Sequence, residues 1–147
     1  MEKKIILLVE DNSSDVALTK RAFEKSKIIN QLIVIEDGKE ALEYLQGTGA
    51  YSGRDINILP IVVLLDIKLP LLDGITVLKT IRNDPKLRRL PVVMLTSSSE
   101  ESDLAQSYDN GVNGFIRKPV DSLEFEKAIS TFGLFWLLVN EPPPVVK

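Results

Sequence analysis

Ile5-Ile6-Leu7-Leu8-Val9-Glu10-Asp11 is the stretch that decides the fold. Five consecutive apolar residues give way at once to two carboxylates. A run that is apolar at every position, not at alternate ones, is what a strand covered on both faces requires. Three more runs repeat the design with other polar endings. Ile61–Leu65 ends in Asp66, Val92–Leu95 in Thr96, and Gly114–Arg117 in Lys118-Pro119. As neighbouring parallel strands they bring three carboxylates, a hydroxyl and an ammonium to one rim of a sheet. Clustered carboxylates repel one another and require a cation. The ammonium and the hydroxyl suit a visiting anion. A divalent metal beside a phosphoryl group satisfies both demands.

Between these runs the pattern turns helical. Asp15 to Lys27 carries Val16, Thr19, Ala22 and Phe23 on one side, with Ser13 or Ser14 as the expected cap. Leu32–Ile35 reads as a further strand. Gly38 to Gln46 is a short helix with Ala41, Leu42 and Leu45 inward and Gly47 as its C-terminal cap. Thr48 to Pro60 has no apolar period and reads as an exposed loop. Asp73 to Asn83 buries Val77, Leu78 and Ile81 and stops at Asp84-Pro85. Glu100 to Tyr108 is expected to turn Leu104, Ala105 and Tyr108 inward. The last helix begins at Asp121 and is expected to bury Leu123, Phe125, Ala128, Ile129 and Phe132.

Five strands alternating with five helices predict an α/β fold, a doubly wound parallel sheet with helices on both faces. In such sheets ligands bind beyond the C-terminal strand ends, where the strand order reverses. With the order 2-1-3-4-5, Glu10-Asp11 and Asp66 flank that point.

Bulk properties narrow the function. The chain has 147 residues, 44% of them hydrophobic and 27% charged, enough for an ordinary core. A net charge of −3 leaves no dominant basic surface and argues against nucleic acid as a partner. Lys86-Leu87-Arg88-Arg89 reads as a solvated loop. The absence of cysteine fits a reducing cytoplasm. The absence of histidine excludes histidine-based triads, imidazole metal sites and any phosphohistidine relay within the chain. No segment reaches the ~20 apolar residues of a membrane span, and no signal peptide is read at the N-terminus.

Asp66 is therefore the expected nucleophile, on the loop leaving a buried central strand. Asp11, with Glu10 directly or through water, is expected to hold Mg2+ together with Asp66. Lys118 neutralises a phosphoryl oxygen and the Thr96 hydroxyl donates to one. Each residue alone has a plainer reading as a helix cap, a turn or a solvated charge. The joint occurrence, one residue type at each strand end, carries the argument.

Glu10-Asp11, the run Asp66-Ile67-Lys68-Leu69-Pro70-Leu71-Leu72-Asp73-Gly74, Thr96-Ser97 and Lys118-Pro119 together resemble the response-regulator receiver domain of two-component signalling. The likeness covers roughly residues 3 to 132. It implies a flavodoxin-like (βα)5 fold and phosphorylation of Asp66 by a separate histidine kinase, in a phosphorelay. It also implies a metal-ligating backbone carbonyl at Lys68 and an aromatic switch at Phe115 that moves with Thr96. Lys68 and Ser98 stand where members of the family tune acyl-phosphate lifetime. The Lys118-Pro119 bond is expected to be cis. The long 47–60 loop, the 84–91 segment and the extended C-terminal end further resemble stand-alone regulators paired with bacterial phytochromes.

Residues 1–140 are expected to form one receiver domain with an extended last helix, and 141–147 a proline-rich tail, with no output domain. Phe132–Val139 is apolar nearly all round, more than one helix face buries. Phe132, Phe135, Trp136 and Leu137 are thus candidates for a homodimer interface, the alternative being that Trp136 and Leu137 fold back on their own domain. The chain is expected not to be an enzyme with a turnover substrate. A haloacid-dehalogenase-type phosphatase is disfavoured because Lys68 occupies the position of its second acid. A flavodoxin-like cofactor binder is disfavoured because Glu10-Asp11 would repel a phosphate. A degenerate receiver acting only by contact is disfavoured by the intact site.

Overall fold

The computed structural model describes residues 4–26, 30–118 and 121–146. Its elements are β1 (Lys4–Val9), α1 (Ser13–Ser26), β2 (Asn30–Ile35), α2 (Gly38–Gln46), β3 (Val62–Leu65), α3 (Gly74–Asn83), β4 (Val92–Thr96), α4 (Glu101–Asp109), β5 (Gly114–Arg117) and α5 (Ser122–Gly133). The strands form one parallel sheet in the order β2-β1-β3-β4-β5.

Successive strand side chains point to opposite faces, and each face meets its own helices. Leu7, Val9, Val63, Leu65, Val92 and Met94 pack with the inward residues of α2 and α3. Ile6, Leu8, Val62, Leu64, Val93 and Leu95 pack with those of α1 and α5. Complete burial of such a side chain contributes about 1.5–3 kcal/mol, so the three central strands anchor both layers.

Local signals set the helix ends. The carboxylates of Asp37, Asp73 and Asp121 accept from the backbone N–H groups of Glu40, Thr76 and Leu123 at the starts of α2, α3 and α5. Gly47 ends α2 with φ +67°, a conformation open to glycine at no steric cost. The start of α1 differs from expectation. The helix begins at Ser13, and Asn12, not a serine, caps it by accepting from Asp15 N at 3.0 Å.

The loop after α2 contains a short 3-10 turn, Gly49–Tyr51, and is clipped by Arg54. Its guanidinium lies 4.3 Å from the Tyr44 ring centre. It donates to Tyr44 O at 2.6 Å and Ile58 O at 2.8 Å. One arginine thereby satisfies a carbonyl left free at the end of α2 and closes the loop over it.

Three expectations are corrected. Helix α4 turns Asp103 and Ser107 inward, while Ala105 is exposed, Leu104 only half-buried and Tyr108 54% exposed. Leu123 of α5 is 66% exposed. It lies two residues from Phe125, about 200° around an α-helix from the core-facing side. Phe132 and Leu137 are buried in the domain's own core, as the inward reading of Phe132 and the fold-back alternative for Leu137 expected, and so drop out as interface candidates. Residues Leu134–Val139 continue α5 as a π-helical segment, whose wider turns let Leu137 face inward five residues after Phe132. Phe135 stays exposed and Trp136 half-buried, with their ring centres 5.1 Å apart.

Residues 141–146 have no regular secondary structure. Pro142 to Val146 line a cavity of about 690 Å³ with Lys4, Pro60 and Pro91, at the N-terminal strand ends and opposite the acidic rim. No helix among the described residues is long and apolar enough to cross a membrane. Pro119 lies outside the described residues, and with it the peptide bond expected to be cis.

Candidate functional site

Strand register delivers the site residues to one place. Val9 pairs with Leu65, so Glu10 and Asp66 leave the sheet side by side, and Asp66 N extends the ladder to Val9 O at 3.1 Å. Thr96 pairs with Arg117, and Lys118 N reaches Thr96 O at 2.8 Å. Glu10, Asp66 and Thr96 are all buried.

The loop after Asp66 is built for close approach. A Cβ on Gly74 would lie 2.1 Å from Asp66 O, and Gly74 N donates to Ile67 O at 2.8 Å. Only a residue without a side chain lets α3 start this near the strand end. In the same loop Leu71 is held at φ 68°, a left-handed conformation that is costly for a branched side chain.

Lys118 sits at the centre of the acidic rim. Its ammonium is 2.5 Å from Glu10 Oε1, 2.8 Å from Asp15 Oδ2 and 3.1 Å from Asp66 Oδ2. Burial alone would lower the lysine's pKa, but the carboxylates of Asp15, Glu10 and Asp66 outweigh it and hold the ammonium charged well above its ordinary range. Burial, reinforced by the Asp66 charge and opposed by Lys118, pushes the Glu10 carboxyl up to about 7.

Glu10, Asp11 and Asp66 offer carboxylate oxygens that all lie within 4.8 Å of one another. With Asp15 the cluster holds four carboxylates, three of which, Glu10, Asp15 and Asp66, contact the Lys118 ammonium. Glu10 Oε1 is buried and its charged neighbour is the Lys118 ammonium. An all-oxygen donor set with surplus negative charge fits a hard divalent cation.

The remaining expected residues surround this cluster. Lys68 N donates to Asp66 Oδ1 at 3.4 Å, while its ammonium turns to Asp103, 3.8 Å away. Ser98 N donates to Thr96 Oγ1 at 3.2 Å, and Ser98 Oγ donates to Asp103 Oδ2 at 2.5 Å. Phe115 is half-buried against the core layer of α2 and α3. Phe135 and Trp136 belong to the far end of the molecule and contribute nothing to this site.

Two acids escaped the sequence reading. Asp15 read as an ordinary first-turn acid of α1; its only trace was the Asp11-to-Asp15 spacing, one helical turn. Asp103 left no trace, because an acid early in a helix is unremarkable as a partner for the helix dipole.

Comparison with known proteins agrees with this fold. Residues 6–130 match the family described as the response regulator receiver domain. The chain is 40% identical to the probable methanogenesis regulatory protein FilR2 of Methanothrix harundinacea, over 95% of this chain and 87% of the relative. It is 38% identical to response regulator Rcp1 of Synechocystis, over 91% and 89%. The Mn2+-bound crystal structure of Rcp1 superposes with a TM-score of 0.89 at 37% identity, covering 96% of this chain and 99% of that one. The phosphorylated cyanobacterial phytochrome response regulator RcpA superposes with a TM-score of 0.90 at 36% identity, covering 97% and 100%. The chain belongs to the response regulator receiver domain family.

Proposed function

We propose that Asp66 accepts a phosphoryl group from the phosphohistidine of a histidine kinase, and that the modified domain signals through protein contacts. The observation that carries this reading is the meeting of Asp66 with Lys118 at 3.1 Å inside an acidic cluster fit for a dication. A carboxylate oxygen of Asp66 attacks phosphorus, and the P–N bond to the kinase breaks as the P–O bond forms. Glu10, Asp11 and Asp66, with the Lys68 carbonyl, would hold Mg2+, which would supply charge neutralisation when bound. Lys118 pairs with a phosphoryl oxygen, and the Thr96 hydroxyl donates to another. Phe115, already half-buried, follows Thr96 inward. The chain promotes its own phosphorylation and hydrolysis and turns over no separate substrate.

The likeness to RcpA, a cyanobacterial phytochrome response regulator, favours a phytochrome-type histidine kinase as the donor. The proposed setting is the cytoplasm. A homodimer is part of the proposal, with Phe135 and Trp136 as contact residues, since Phe132 and Leu137 already serve the core.

The test is incubation with acetyl phosphate and Mg2+, read by intact mass and light scattering. One added phosphate on the wild type and none on Asp66→Asn supports the proposal. An unmodified wild type, or a modified variant, rejects it. A monomer under both conditions rejects the homodimer.

A further inference from the structure

Lys118 and a dication compete for the same oxygens. Two of the lysine's three carboxylate partners, Glu10 and Asp66, belong to the metal-binding group, whereas Asp15 does not. A cation that claims Glu10 and Asp66 removes those partners and repels the ammonium as well. A lysine has a long flexible stem and a strongly hydrated head, so an unpartnered Lys118 would swing to solvent. The Asp15 carboxylate lies 2.8 Å from the ammonium on the side of α1. Its backbone is fixed at both ends, by Asn12 Oδ1 accepting from Asp15 N at 3.0 Å and by Thr19 Oγ1 donating to Asp15 O at 2.7 Å.

We infer that Asp15 is a positioning residue: it keeps the Lys118 ammonium in the site when a divalent cation occupies Glu10, Asp11 and Asp66. The inference builds on the phosphoacceptor reading and adds what that reading lacks, a reason why the two cations coexist. Asp15 acts through Lys118 and touches neither the phosphoryl group nor the metal.

The probe is Mg2+ alone. The ammonium resonance of Lys118 in 15N-lysine-labelled protein, assigned by its loss in Lys118→Ala, is followed during Mg2+ titration. In the wild type the resonance stays protected at saturating Mg2+. In Asp15→Asn it is present without Mg2+ and exchanges away as Mg2+ saturates, and Asp15→Glu restores it. Equal protection in wild type and Asp15→Asn at saturating Mg2+ overturns the inference.

Acetyl-phosphate kinetics give a second readout. Asp15→Asn slows phosphorylation about tenfold, within the range that misplacing a charge-stabilising group costs, and has no effect in the Lys118→Ala background. An equal slowing in both backgrounds shows a merely structural role and overturns the inference. A wild type that takes no phosphate defeats the proposed function, while the lysine resonance still decides the role of Asp15.

Discussion

Ser98 Oγ donates to the buried carboxylate of Asp103 at 2.5 Å, tying the loop after β4 to the helix that follows. Ser98 N holds Thr96 Oγ1, and Asp103 also draws the ammonium of Lys68. A single acid on α4 thus gathers two residues bordering Asp66 and, through Ser98, steadies the Thr96 hydroxyl.

Asp103→Ala is therefore expected to destabilise the fold by about 1.5–3 kcal/mol, the scale of losing a hydrogen bond to a charged group. It also releases Lys68 toward Asp66. Urea unfolding measures the first effect. The decay of phosphorylated protein, followed by intact mass, measures the second as a changed lifetime.

Glu10 sets a pH dependence. Its folded pKa of about 7 lies above the ordinary value of 4.5. The proton-bound form therefore favours the folded state. That contribution is complete below pH 4.5 and is lost as pH rises through 7. In metal-free protein the melting temperature should fall across this window. Mg2+ displaces the same proton, so its apparent affinity should drop about tenfold per pH unit below 7. Calorimetric titration at pH 6 and 8 checks this, and Glu10→Gln should flatten the difference.

Gly74→Ala forces a methyl group to within 2.1 Å of Asp66 O. Since both sides of that contact are backbone, the start of α3 must move. The expected cost is about 1–3 kcal/mol, as for other overpacking changes, with impaired phosphorylation because the Asp66 loop shifts too. Thermal unfolding and the acetyl-phosphate assay read the two effects together.

Leu137→Ala and Phe135→Ala separate the core from the surface at the C-terminal end. Leu137 is fully buried, so its truncation should cost about 2–5 kcal/mol. Phe135 is 47% exposed. Its truncation should cost under about 1 kcal/mol and instead weaken self-association, read by denaturant titration and sedimentation.

The strands and their rim were legible because continuous apolar runs ending on a polar residue have one economical arrangement, and the observed register brought Glu10, Asp66, Thr96 and Lys118 to one end. The wrong face of α4 shows where such reading fails. Leu104, Ala105 and Tyr108 keep helical spacing, but the bond from Ser98 to Asp103 rotates the helix to bury an acid. In the sequence Leu137 stands between an interface and a fold-back on its own domain, since α-helical periodicity does not anticipate the π-helical turn that buries it. The roles of Asp15 and Arg54 were not legible because they depend on partners that only the folded chain brings near.

Phosphotransfer from a histidine kinase followed by borohydride reduction tests the central claim most directly, because reduction converts an aspartyl phosphate to homoserine at the modified position. Peptide mass mapping should find homoserine at position 66 and nowhere else. Homoserine at position 11 or 15, or a fully phosphorylated Asp66→Asn protein, would contradict the account.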